Sequence, residues 1–77
     1  MPFRELLSPH AWREARREGI SVDELEAVYV EPDAVRPSTH DDEREIRTRW
    51  FGQEAVEVVV DRIDGRVVTT WRKRPAR

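Results

Sequence analysis

Ala55-Val56-Glu57-Val58-Val59-Val60-Asp61, followed by Arg62-Ile63-Asp64-Gly65 and then Arg66-Val67-Val68-Thr69-Thr70-Trp71, fills most of the last third of the chain. Two runs of β-branched and aromatic residues flank an Asp-Gly pair, the strongest short-range signal of a β-hairpin. The hairpin can close in two ways. A two-residue turn at Asp64-Gly65 sets Glu57 opposite Arg72, whereas a three-residue turn from Ile63 with a bulge sets Glu57 opposite Trp71. A one-residue slip turns every side chain of a strand to the other face, so it stays open which of Val59 and Val60 is core.

Working back from the hairpin, Ile46, Thr48 and Trp50 alternate with Arg47, Arg49 and Phe51. This is the pattern of a half-buried strand, turned at Gly52-Gln53 into the valine-rich one. Before it, Asp33 to Glu43 is a polar connection containing Pro37, with room for a short strand around Val35.

The first half reads as two short helices. Ser8-Pro9 is a helix start, with Ser8 capping free N–H groups and Pro9 in the first helical position. Ala11, Trp12 and Ala15 form its apolar stripe, and Gly19 supplies a left-handed cap. Ser21-Val22-Asp23-Glu24 is a capping box, Val22, Leu25, Val28 and Tyr29 recur at helical spacing, and Pro32 marks the end. For Phe3 to Leu7 periodicity does not separate strand from helical turn. The expected architecture is therefore α+β: two N-terminal helices on one face of a three- or four-stranded antiparallel sheet. Leu25, Val28, Ile46, Val58 and Trp50 are its expected shared core.

Composition sets the bounds. The 77 residues make one small domain, expected to fray over Pro75 to Arg77, with 39% charged and 38% hydrophobic residues. No cysteine is present, which excludes disulfides and cysteine zinc sites. His40-Asp41-Asp42-Glu43 lacks the spacing that converges ligands on one ion, so no metal or other cofactor is expected. No apolar run reaches membrane-spanning length and no signal peptide is legible, so the expectation is a cytoplasmic protein without a membrane partner. Net charge is −2, with acidic residues gathered from Asp23 to Asp33 and basic ones from Arg44 onward. Low apolar content and sheet edges without obvious cover favour a homodimer over a monomer.

His10, Arg13, Glu14 and Arg17 share one face of the first helix. An imidazole beside guanidinium groups can act on a phosphodiester, and tryptophans with nearby arginines can stack bases and track phosphates. The same residues can equally be a solvated face and core packing. No phosphate-cradling glycine loop and no nucleophile motif is present.

Ser8-Pro9-His10-Ala11, Gly19-Ile20-Ser21, Glu31-Pro32, Val58-Val59-Val60-Asp61, Asp64-Gly65-Arg66-Val67-Val68-Thr69 and Trp71 occur in an order that resembles the small bacterial family catalogued as domain of unknown function 4258. That family's pattern is Ser/Thr-x-His-Ala, a helix ending in Arg-Gly-Ile-Ser, an Asn/Asp-Pro, and a closing hairpin with Val-Thr-Val-aromatic. The first half is similar also to BrnT-type toxins, ribonucleases of RelE-like fold that pair with an antitoxin. The resemblance covers nearly the whole domain. Glu14 and Glu18 depart from it, standing where arginines are expected, and Trp71 replaces the commoner tyrosine.

The resemblance implies a toxin-like domain that cleaves RNA without metal or inhibits translation, with an antitoxin protein and RNA as partners. His10 would be the acid or base, Arg17 and Arg72 the charge stabilisers, and Arg47, Arg49, Thr69 and Trp71 the RNA-binding residues. The alternative function is a non-catalytic protein-interaction or dimerisation module.

Overall fold

The computed structural model describes residues 2–74. The expectation of a frayed tail over 75–77 falls outside them. A 3-10 turn at Phe3–Leu6 leads into helices α1 (Pro9–Glu18) and α2 (Val22–Val30), then strands β1 (Ala34–Pro37), β2 (Arg44–Phe51), β3 (Glu54–Asp61) and β4 (Val67–Lys73). The strands form one antiparallel sheet in chain order β1-β2-β3-β4. The α+β architecture is the expected one, with the short strand near Val35 realised as β1.

The helix boundaries follow from local chemistry. Ser8 Oγ accepts the Ala11 N–H at 3.0 Å, and Gly19 closes α1 with φ 69°. Ser21 and Glu24 make both hydrogen bonds of the capping box at the start of α2. Leu7, Ala11, Ala15, Ile20, Leu25, Val28, Val56, Val58, Val60 and Val67 form the buried core between helices and sheet. Phe3, Trp12, Tyr29 and Phe51 pack around it.

The hairpin register is the one that pairs Glu57 with Trp71, reached by a different route from either expected turn. Arg62 to Gly65 form a longer loop, closed by the Gly65 N–H on the Asp61 carbonyl at 2.8 Å. Val59 then pairs with Thr69 and Val60 with Val67, so Val68 is the bulged residue. The Ser8 hydroxyl donates to the Val68 carbonyl at 2.9 Å, tying the bulge to the start of α1. Val60 faces the helices; Val59 is also buried, on the opposite face.

One core expectation is corrected. Leu25, Val28 and Val58 are core, but Ile46 and Trp50 lie on the sheet face away from the helices, where Trp50 is 51% exposed. It is the Arg47, Arg49 and Phe51 side of β2 that faces α2. At the edges of the sheet β1 is exposed along its whole length, whereas β4 is partly covered. Leu7 bridges Val67 on the outside of β4, Glu18 accepts the Arg72 N–H, and β1 is short and ends at Pro37. Among the described residues no helix is long and apolar enough to cross a membrane.

Candidate functional site on the open sheet face

Both helices pack on the Val56, Val58 and Val60 side of β3, so the alternate residues of every strand form a face that, among the described residues, has no second layer. Arg36 of β1, Ile46, Thr48 and Trp50 of β2, Ala55, Glu57 and Val59 of β3, and Thr69, Trp71 and Lys73 of β4 lie on it. Glu57 is at its centre, paired with Thr48 on one side and Trp71 on the other.

Glu57 is 2% exposed, and each neighbouring part of the sheet supplies it a donor. Arg36 Nη1 donates to Oε2 at 2.7 Å, the Thr48 hydroxyl to the same oxygen at 2.6 Å, and Trp71 Nε1 to Oε1 at 3.0 Å. Burial pushes the carboxyl pKa up; the hydrogen bonds from Arg36, Thr48 and Trp71, with the Arg36 charge, outweigh this and lower it from 4.5 to about 2. The carboxylate is thus a fixed anion that orients two side chains at once. It holds the edge of the Trp71 indole with one oxygen and the half-exposed Arg36 guanidinium with the other.

Trp50 lies two strands from Trp71 and one pleat along, roughly 12 Å by strand spacing. The small side chains of Thr48 and Ala55 sit low between them, both buried. The arrangement presents two aromatic surfaces, an oriented guanidinium and, at the β4 end, the exposed Lys73.

The residues singled out in the sequence are divided among separate places. Thr69 and Trp71 belong to this face. Arg47 and Arg49 lie on the other, where Arg47 donates to the Tyr29 carbonyl at 2.7 Å with its guanidinium over the Tyr29 ring, and Arg49 to the Glu31 carbonyl at 2.8 Å. Arg72 donates to the Glu18 and Gly19 carbonyls at 3.4 and 3.0 Å and is 13% exposed. All three strand arginines therefore close helix C-termini, where carbonyls lack partners and the dipole favours cations. Arg17 is solvated beside Glu14, and His10 is exposed in the first turn of α1, at the opposite end of that helix from Arg72. The structure does not bring His10, Arg17 and Arg72 together.

Arg36 and Glu57 were missed by the sequence reading, although a signal was present. A lone carboxylate inside Ala55-Val56-Glu57-Val58-Val59-Val60 must find donors if that strand is central in the sheet. Among the described residues no group of acidic and histidine side chains is placed to hold a metal. The chain matches no protein-family model, no curated protein and no solved structure.

Proposed function

We propose that the chain is an RNA-acting recognition module that binds single-stranded RNA across the open sheet face. The observation that carries this reading is the presence of the exposed Trp50, the anchored Trp71 and Arg36 on the sheet face opposite both helices. Every base offers a π-face, so aromatic platforms capture single strands with little regard to sequence, and cations beside them meet the backbone. Binding is better supported than cutting, because His10, Arg17 and Arg72 are dispersed and Arg72 is committed to helix ends. The bacterial toxin–antitoxin setting is part of this proposal and comes from the motif resemblance alone.

The test is anisotropy of a labelled uridine-rich RNA titrated with the protein at low salt. Binding should weaken as salt rises. Trp50→Ala should weaken it about ten- to a hundredfold, the scale of one lost stacking platform. An absence of binding at low salt would sink the reading. The second reading, a protein-interaction module, is favoured by the exposed Trp50 beside the part-buried Ile46 on the same face and by the local neutralisation of Arg36 by Glu57. Sedimentation showing self-association that Trp50→Ala abolishes, with no RNA binding, would put that reading in its place.

A further inference from the structure

Strand β1 differs from the other strands and both helices in what holds it. All four of its residues are exposed. Among the described residues it is the only helix or strand that places no side chain in or against the hydrophobic core. Its ties to the sheet are polar. The Ser38 N–H donates to the Arg44 carbonyl at 3.0 Å, so in this register Arg36/Ile46 and Ala34/Thr48 are the hydrogen-bonded pairs between β1 and β2. The Arg62 N–H donates to the Glu43 carbonyl at 2.8 Å, so Glu45, Arg47 and Arg49 turn their backbone groups to β3 instead. The amides of β2 are thus sorted residue by residue: Ile46 and Thr48 depend on β1, Glu45 and Arg47 on β3.

One side-chain link reaches further. Arg36 spans β2 and donates to Glu57 of β3 at 2.7 Å, and to the Thr48 hydroxyl on the way at 3.3 Å. It joins the edge strand to the centre of the sheet. A charge-assisted bond is roughly twice as strong as a neutral one, so this contact outweighs each backbone bond between β1 and β2. A segment that buries no apolar surface opens at a free energy well below that of global unfolding, because its departure exposes no core to water.

We propose that β1 is a strap that opens independently of the rest of the sheet, and that the Arg36–Glu57 contact is its latch. Closed, the strap places the Arg36 guanidinium on the open sheet face. Open, it withdraws that cation and leaves the Glu57 carboxylate with Thr48 and Trp71 alone, so a neutralised pair gives way to a bare anion. The strap opens in this way whatever ligand the face takes, RNA or protein.

The experiment is native-state hydrogen exchange of the full chain at pH 7, read amide by amide by NMR as protection relative to the unfolded rate. In wild type, Ile46 and Thr48 should be protected about tenfold less, or lower still, than Glu45 and Arg47. Sub-denaturing urea should reduce protection at Glu45 and Arg47 steeply and at Ile46 and Thr48 hardly at all, since the urea slope scales with the surface exposed. Arg36→Ala should lower protection at Ile46 and Thr48 by a further factor of about ten, the scale of one hydrogen bond to a charged group. If circular dichroism shows that Arg36→Ala does not fold, Arg36→Gln takes its place, with the same direction expected. Arg13→Ala on α1 is the control and should leave Ile46 and Thr48 unchanged. Equal protection and equal urea dependence of the two sets in wild type would mean that β1 leaves only with the whole sheet, which overturns the strap. Protection at Ile46 and Thr48 that is unaffected by loss of the Arg36 charge overturns the latch.

Discussion

Glu57→Gln should change how the stability of this domain depends on acid. The Glu57 carboxyl is lowered from 4.5 to about 2 in the folded chain. The unfolded chain thus binds a proton there that the folded chain refuses, and stability rises with pH between those values. The contribution is fully present above about pH 4.5 and is lost as pH falls toward 2. A shift of this size corresponds to about 3 kcal/mol, a large share of what a domain of this length possesses. The value is an upper bound, since desolvation and three hydrogen bonds oppose one another within it. The assay is urea unfolding followed by the summed fluorescence of Trp12, Trp50 and Trp71, at pH 7, 4.5, 3.5 and 2.5. Other carboxylates titrate in the same range, so the informative quantity is the difference between wild type and Glu57→Gln. That difference should shrink by up to about 2.5 kcal/mol between pH 7 and pH 2.5, the remainder of the effect lying below pH 2.5. A constant difference across this range would refute the claim that Glu57 is held ionised by Arg36, Thr48 and Trp71.

Leu25→Ala should cost about 2–5 kcal/mol by urea titration, because Leu25 is fully buried between the helix and sheet layers. Gly65→Ala should also destabilise, by about 1 kcal/mol or more. Its φ is 75°, and an added Cβ would stand 3.2 Å from the Tyr29 hydroxyl that donates to the Gly65 carbonyl. Arg72→Ala should lower the thermal midpoint, since its guanidinium satisfies the last carbonyls of α1. His10→Ala, on an exposed first-turn position, should leave the midpoint nearly unchanged.

The strand arginines show what a charge distribution along the sequence leaves unplaced. Arg47, Arg49 and Arg72 read as a basic surface beside an acidic helix. In the fold their stems run along the helix-facing side, and their heads close α2 and α1. Helix α2 has no basic residue in its last turn, so the cations its carbonyls favour arrive from the sheet. The displacement of Trp50 and Ile46 to the open face is the other side of the same choice. Alternation sorts β2 into two sets, but the all-valine stretch of β3 is apolar on both faces and cannot say which set turns inward.

The sequence by itself determined both helices with their caps, the antiparallel hairpin, the α+β class and the core positions Leu25, Val28 and Val58. These follow from local rules: capping bonds span three residues, strand alternation has period two, and a glycine stop is set by its own backbone. Tertiary structure alone decided the bulge at Val68, and with it the placing of Glu57 opposite Trp71. It also decided which face of the sheet the helices cover, and the meeting of Arg36, Thr48, Glu57 and Trp71 around one carboxylate. Those groups come from four different strands, and their contact depends on the pairing of the whole sheet, which no local pattern encodes.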